Sequence, residues 1–126
     1  MDYLKGAPGI YSARFSGEGA TDQSNLNKLM SEMQDAPPGN RKARYQTVIA
    51  VMTHKADPTP ILCQGTWEGE IAFEEKGSEG FGYDPIFKPA DADCHAAELE
   101  KAVKNTISHR GKAIKKLLEQ LKQQAL

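Results

Sequence analysis

The chain has 126 residues, 39% of them apolar and 26% charged, which excludes a disordered polypeptide and leaves room for one folded domain but not for two. Its 16 basic and 17 acidic side chains give a formal net charge of -1, which excludes a strongly basic surface for DNA or RNA. No apolar run is long enough to cross a membrane, and the first five residues do not form a signal peptide. We therefore expect a cytoplasmic protein that binds neither nucleic acid polymers nor membranes.

The first predicted helix covers about 22–34 and follows an irregular or extended segment at 6–15. Thr21 and Asp22 are both suited to its N-cap. The apolar residues after them repeat at i, i+3, i+4 and i+7, which predicts a buried face made of Leu26, Leu29, Met30 and Met33. The proline and glycine residues at 37–40 are expected to end this helix.

Two strands are predicted next, at about 44–53 and 60–73, joined by a turn at 57–60. The continuous apolar run from Val48 to Met52 predicts a strand that is covered on both faces. The second strand either continues after Thr66 or bends at Gly69. A glycine-rich loop at 77–82 then precedes a short apolar strand predicted at 85–87.

The last third of the chain is predicted to be helical, with a final helix over about 109–124. Apolar residues recur at helical spacing, namely Ile114, Leu117, Leu118, Leu121 and Ala125. The charged residues between them, Lys115, Lys116, Glu119 and Lys122, predict a solvated face. The fold class is therefore α/β, with a mixed sheet flanked by helices.

The cysteines and histidines carry no pattern that predicts a metal site. Cys63 and Cys94 lack C-x-x-C spacing. A single disulfide between them is an alternative, but two reduced thiols fit a cytosolic protein better. His54 and His95 have no partner pattern, so we interpret them as surface or turn residues.

The segment Gly80–Pro85 combines two glycines, two aromatic rings and a carboxylate. Glycine lets the backbone approach a ligand closely, and an aromatic ring offers a stacking face. A tight turn whose rings pack on the sheet explains the segment equally simply, and the segment taken alone favours this interpretation.

The segment 104–111 places basic residues where a helix is expected to start. Thr106 or Ser108 can cap that helix, which puts His109 and Arg110 in its first turn, where the helix dipole disfavours cations. With Lys104 just before them, these residues fit a site for an anion or a polar ligand. Side chains that simply point into solvent are the alternative.

Three segments occur in a characteristic order: Gly-Ala-Pro-Gly-Ile-Tyr-Ser-Ala-Arg at 6–14, Gly-Phe-Gly-Tyr-Asp-Pro-Ile-Phe at 80–87 and Ile-Ser-His-Arg-Gly at 107–111. Together they resemble the bacterial branch of the inosine-triphosphate pyrophosphatase family, over nearly the whole chain. The resemblance implies the C-terminal part of that family's fold, as a single domain over residues 1–126. It also implies hydrolysis of dITP, ITP and XTP to monophosphate and pyrophosphate, with Mg²⁺ and as a homodimer.

The resemblance further implies that the nucleoside is bound by Phe81, Gly82, Tyr83, Asp84, Lys104, His109 and Arg110. Hypoxanthine and xanthine present a carbonyl oxygen at C6, where adenine presents an amino group. Arg110 carries only donors, so it satisfies the carbonyl and leaves an adenine amino group facing another donor. A ring of Phe81 or Tyr83 over the base adds stacking.

In the family, the phosphate-binding turn, the metal ligands and the catalytic aspartate precede the Gly-Ala-Pro-Gly segment. Only five residues precede Gly6 here, so we expect a truncated domain that keeps base recognition and has neither a catalytic residue nor a metal ligand of its own. Three functions stay open: a pyrophosphatase by descent, a non-catalytic nucleotide-binding or oligomeric remnant, and an interaction module whose motifs are relics.

Overall fold

The computed structural model describes residues 1–124, so the predicted apolar position Ala125 lies outside the described residues. The elements in chain order are a 3-10 helix Gly9–Arg14, α1 (Asp22–Glu32), a 3-10 helix Pro38–Asn40, β1 (Lys42–Val51), β2 (Ile61–Ile71), a 3-10 helix Asp84–Ile86, β3 (Phe87–Pro89), a 3-10 helix Ala96–Glu98, α2 (Lys101–Ile107) and α3 (His109–Gln124). None of the helices in residues 1–124 is long and apolar enough to cross a membrane.

The chain forms two compact units that alternate along the sequence. The first unit comprises Met1–Arg44 and Glu68–Lys101, and the second comprises Tyr45–Trp67 and the residues from Ala102 onwards. Strands β1 and β2 each pass from one unit to the other. The single domain over residues 1–126 stays a prediction.

The core of the first unit is built around α1, whose N-terminus is fixed by a capping box. The Thr21 hydroxyl accepts from the Ser24 N–H at 3.1 Å, and the Ser24 hydroxyl accepts from the Thr21 N–H at 2.8 Å, so Thr21 is the N-cap. The predicted apolar face is confirmed for the buried Leu26, Leu29 and Met33, whereas Met30 is half-buried. Burying each such side chain stabilises the fold by about 1.5–3 kcal/mol.

The sheet has three antiparallel strands in the order β1-β2-β3. Strands β2 and β3 pair with Gly69 opposite Pro89 and Ile71 opposite Phe87, so β2 continues through Gly69. A Cβ atom at Gly69 would lie 2.6 Å from the Phe87 ring. Glycine at this position therefore allows the ring to lie over the strand.

The predicted strand at 85–87 is wrong for its first two residues, because Pro85 and Ile86 belong to the 3-10 helix Asp84–Ile86. Proline is suited to the start of a helical turn since it has no N–H to satisfy. The N–H groups of Ile86 and Phe87 both donate to the Tyr83 carbonyl, at 3.0 and 3.1 Å. Strand pairing starts only at Phe87.

The prediction that β1 is covered on both faces is also wrong. Burial alternates along this strand, with Thr47, Ile49 and Val51 half-buried while Val48 is 61% exposed and Ala50 is exposed. Successive side chains of a strand point to opposite faces, so one face of this part of β1 is open within residues 1–124.

The second unit buries Cys63 and Trp67 of β2 and Ala113 of α3. Exposed positions of α3 include the predicted solvated residues Lys115, Lys116, Glu119 and Lys122 together with the apolar Ile114, Leu118 and Leu121. Both cysteines of the chain are free, as predicted.

Candidate functional site

The predicted site residues fall into two groups, one in each unit. Phe81, Gly82, Tyr83 and Asp84 belong to the first unit, and Lys104, His109 and Arg110 belong to the second. Each group is a local structure of its own unit.

The loop 80–84 of the first unit is a turn with two glycines in the left-handed region, Gly80 at φ 80° and Gly82 at φ 61°. The buried carboxylate of Asp84 closes the turn by accepting from the Phe81 N–H at 3.0 Å. The next N–H, that of Gly82, donates to the carboxylate of Asp22 at 3.1 Å. The loop is thereby held both by local bonds and by a bond to the start of α1.

The two aromatic rings of this loop have different environments. The Phe81 side chain is 52% exposed, whereas Tyr83 is only 8% exposed. The Tyr83 hydroxyl donates to the Ser12 carbonyl at 2.6 Å, and burial raises the pKa of this phenol to about 12, with the charge of Asp22 adding to the effect. The Tyr83 phenol is therefore protonated at neutral pH, and Phe81 offers the accessible stacking face.

The turn at 95–98 supports the same loop from the other side. The His95 ring nitrogen Nδ1 lies 2.7 Å from the Pro85 carbonyl, and the Glu79 N–H donates to the Ala97 carbonyl at 2.9 Å. His95 lies in a turn, as one of the two predicted alternatives has it, but it is buried and is not a surface residue, while His54 is exposed as predicted. The sequence spacing gives no sign that the Pro85 carbonyl meets this ring.

The start of α3 in the second unit has the predicted arrangement. Ser108 is buried, and its hydroxyl accepts from the Gly111 N–H at 3.1 Å, so Ser108 is the cap. The Thr106 hydroxyl instead donates to a carbonyl within α2. His109 and Arg110 therefore occupy the first turn of α3, with Arg110 exposed and Lys104 half-buried on the preceding helix.

Stacked rings fix the first residue of α3. The His109 ring lies over the Tyr45 ring with centroids 4.8 Å apart, and Trp67 lies 6.0 Å from Tyr45. The helix start lies directly against β2, because a Cβ atom at Gly65 would be only 1.9 Å from the His109 carbonyl oxygen. Glycine is the residue that permits this approach.

Sequence reasoning missed several residues that support these two groups. The sequence indicates only a helix cap for Asp22. It indicates only strand positions for Tyr45, Trp67 and Gly65. Their partners lie far away in sequence, so no local pattern could have connected them.

Within residues 1–124 there is no group of three or more His, Cys, Asp or Glu side chains that could hold a metal ion.

The sequence profile of the Ham1 family matches residues 1–120. The chain belongs to the Ham1 family. Among its relatives, the dITP/XTP pyrophosphatase of Vibrio parahaemolyticus is 55% identical over 124 residues, which are 98% of this chain and 62% of the relative. The dITP/XTP pyrophosphatase of Escherichia coli K12 is 52% identical over 122 residues, which are 97% of this chain and 62% of the relative.

Solved Ham1 structures confirm the α/β fold class. A HAM1 protein from Coxiella burnetii superimposes with a TM-score of 0.92 at 43% identity, over 97% of this chain and 62% of that one. The Staphylococcus aureus Ham1 protein gives 0.89 at 39% identity, over 98% of this chain and 62% of that one. The Ham1 chain described above thus spans about 62% of the length of these relatives.

Proposed function

We propose that this Ham1-family chain takes part in the hydrolysis of the deaminated purine nucleotides dITP, ITP and XTP to monophosphate and pyrophosphate. Relatives that bear the name dITP/XTP pyrophosphatase, at 55% and 52% identity, support the reaction class. The part of the reaction that the described residues perform is recognition of the base.

The observation that carries the proposal is the start of α3, where the exposed Arg110 follows the stacked ring of His109. A guanidinium group only donates hydrogen bonds, so it satisfies the C6 carbonyl of hypoxanthine or xanthine. Adenine would bring an amino group to the same donor, which it cannot satisfy. A donor that the bound base buries without an acceptor costs about 1–3 kcal/mol. This difference favours the deaminated bases.

The exposed Phe81 ring supports the same function, because a purine base can stack on it. Base–aromatic stacking contributes about 1–3 kcal/mol in proteins that bind single strands. It does not discriminate between purines, so stacking on Phe81 supplies affinity but no selectivity. Lys104 carries the positive charge suited to the phosphates.

Mg²⁺, a homodimer and a cytoplasmic location belong to the proposal. The phosphate oxygens of a triphosphate themselves bind Mg²⁺. The side chains of this chain are given no catalytic step in this proposal. The exposed apolar side chains of Val48, Leu62 and Leu118 support self-association. The free thiols of Cys63 and Cys94 support a reducing compartment.

A non-catalytic nucleotide-binding remnant is the second candidate, since the exposed Phe81 ring and the exposed Arg110 would support nucleotide binding without turnover. Two measurements separate the candidates. Calorimetric titration with inosine and adenosine monophosphates tests base recognition, and pyrophosphate release from ITP with Mg²⁺ tests turnover.

Tighter binding of inosine monophosphate together with turnover supports the pyrophosphatase, whereas tighter binding without turnover supports the remnant. Equal affinity for both bases would contradict base recognition. If the folded chain binds neither nucleotide, the only remaining candidate is an interaction module that does not bind nucleotides.

A further inference from the structure

The loop 80–84 is tied at two points to the segment that precedes and begins α1. The Gly82 N–H donates to the Asp22 carboxylate at 3.1 Å, and the Tyr83 hydroxyl donates to the Ser12 carbonyl at 2.6 Å. These bonds join residues that lie 60 and 71 positions apart in the sequence. They are thus tertiary contacts and not features of the turn itself.

The turn on its own has little to define its position. Gly80 and Gly82 both adopt left-handed backbone angles, and glycine has the widest conformational freedom of all residues. Two local bonds close the turn, from the Phe81 N–H to the Asp84 carboxylate at 3.0 Å and from the Asp84 N–H to the Phe81 carbonyl at 3.2 Å, and neither of these two bonds joins the turn to another element. Contacts to a rigid element are needed to hold the Phe81 ring in one place.

We propose that Asp22 and Tyr83 are positioning residues that hold loop 80–84 so that the Phe81 ring stays available to stack on a purine base. The role in stacking rests on the proposed function. Tyr83 then acts through the loop and does not contact the base itself.

The environment of Tyr83 supports a positioning role. Its side chain is 8% exposed, which leaves almost no ring surface for a ligand, and its hydroxyl is already used by Ser12. An OH group with a single hydrogen can donate to only one acceptor well, so the hydroxyl is committed to the backbone.

The position of Asp22 on α1 supports the same role. Thr21 already caps the helix by accepting from the Ser24 N–H, so the Asp22 carboxylate is available for the loop. Leu26 and Leu29 fix α1 in the core, and the helix is therefore a rigid reference for Gly82. A charged acceptor also makes a stronger bond than a neutral one.

The test compares Asp22→Ala, Asp22→Asn and Tyr83→Phe with the wild-type chain. Glu18→Ala and Tyr11→Phe are matched controls, because each removes the same chemical group from an exposed residue of the same segment. One readout is the backbone order parameter of Gly82, measured by NMR relaxation without ligand. The other is the calorimetric affinity for inosine monophosphate.

We expect the Gly82 order parameter in Asp22→Ala to fall from the rigid range of about 0.85 towards the flexible range below about 0.6. Affinity for inosine monophosphate should fall about three- to tenfold in Asp22→Ala and in Tyr83→Phe, as for one lost hydrogen bond. Asp22→Asn keeps a carbonyl acceptor and should restore most of both values. Both controls should match the wild type.

Unchanged Gly82 dynamics in Asp22→Ala would overturn the proposal, even if affinity fell. Wild-type affinity in both Asp22→Ala and Tyr83→Phe would overturn it as well. If the wild-type chain binds no inosine nucleotide, the proposed function fails while the order parameters still decide whether Asp22 positions the loop. Should Asp22→Ala not fold, Tyr83→Phe carries the test, because it removes only the hydroxyl that donates to the Ser12 carbonyl.

Discussion

The imidazole ring of His109 stacks on the phenol ring of Tyr45, with centroids 4.8 Å apart and planes inclined by 10°. His109 is the first residue of α3 and Tyr45 lies on β1, so the stack joins a strand to a helix start. It fixes the direction of the turn that carries Arg110. The geometry of the proposed base-reading group therefore depends on a residue that never needs to touch the base.

Truncation of Tyr45 should weaken nucleotide binding by loosening this helix start. Tyr45→Ala removes the stacked ring, and we expect the binding of inosine monophosphate to weaken by no more than the roughly 0.5–1.5 kcal/mol that an aromatic pair contributes to holding the helix start. Tyr45→Phe keeps the ring and should bind like the wild type. Calorimetry on both variants measures this, and an equal loss in Tyr45→Phe would show that the hydroxyl matters instead.

Gly65→Ala should destabilise the second unit. Its Cβ atom would lie 1.9 Å from the His109 carbonyl oxygen and 2.9 Å from the Ala113 nitrogen, so the first turn of α3 must move. Overpacking of this kind costs about 1–3 kcal/mol of the free energy of unfolding.

The matched control is Gly39→Ala, because a Cβ atom at Gly39 meets nothing within 4 Å. This change should be neutral or raise stability by about 0.4–1 kcal/mol through the unfolded chain. Urea unfolding measures both variants. If the two variants have the same free energy of unfolding, the first turn of α3 can move away from β2 without a loss of stability.

Arg41 should be the most sensitive arginine of the first unit. It is 4% exposed, and its guanidinium donates to the carbonyl oxygens of Met33, Ala36, Ile71 and Ala72 at 2.7–3.0 Å. Arg41→Met keeps most of the volume but removes all four donors, which should cost about 3–5 kcal/mol of unfolding free energy.

Arg14→Met is the control for Arg41, because Arg14 is exposed and lies over the Tyr11 ring. A cation over an exposed ring contributes about 0.5–1 kcal/mol, so this variant should lose no more than that. Thermal unfolding of both variants gives the comparison, and similar losses would contradict the structural role of Arg41.

Local patterns predicted most of the regular elements correctly. The helical spacing of Leu26, Leu29 and Met33 gave α1, and Ser108 was correctly named as a candidate cap of α3. These features depend on residues within one or two turns of each other, and such interactions are visible in the sequence.

Two of the errors have a common physical cause, since they concern burial. Val48 is exposed although its apolar run indicates a covered strand, and His95 is buried, with its ring nitrogen 2.7 Å from the Pro85 carbonyl oxygen. Burial depends on what packs against a residue, which the local sequence does not contain. The support of the site by Asp22 and Tyr45 was missed for the same reason.

The stability of the chain should fall between about pH 10 and pH 12 because of Tyr83. Burial favours the neutral phenol and raises its pKa from 10.0 to about 12. In that interval the unfolded chain loses the proton while the folded chain retains it, so the stabilisation present below pH 10 is lost as the pH rises. Two pKa units correspond to about 2–3 kcal/mol.

Tyr83→Phe should lack this part of the alkaline loss, whereas Tyr11→Phe, at an exposed position, should keep it. Urea unfolding at several pH values from 8 to 12 measures the difference between the variants. An identical pH dependence in Tyr83→Phe and the wild type would contradict the assignment.

Base selectivity should depend on Arg110 and not on Lys104. Arg110→Ala removes the donor to the C6 carbonyl, so the affinity for inosine monophosphate should fall by about 1–3 kcal/mol. The affinity for adenosine monophosphate should change little, because the adenine amino group gains nothing from a donor. The ratio of the two affinities should therefore fall towards one.

Lys104→Ala is the matched cation variant for this experiment, since Lys104 precedes the helix that carries Arg110. If the lysine attracts the phosphate, both nucleotides should bind more weakly by the same factor, and the loss should shrink as salt is added because the interaction is screened. Calorimetry with both monophosphates at low and high salt separates the two roles. Equal losses for both bases in Arg110→Ala would mean that this arginine binds the phosphate or sugar, and base selection would then have to come from the loop that carries Phe81.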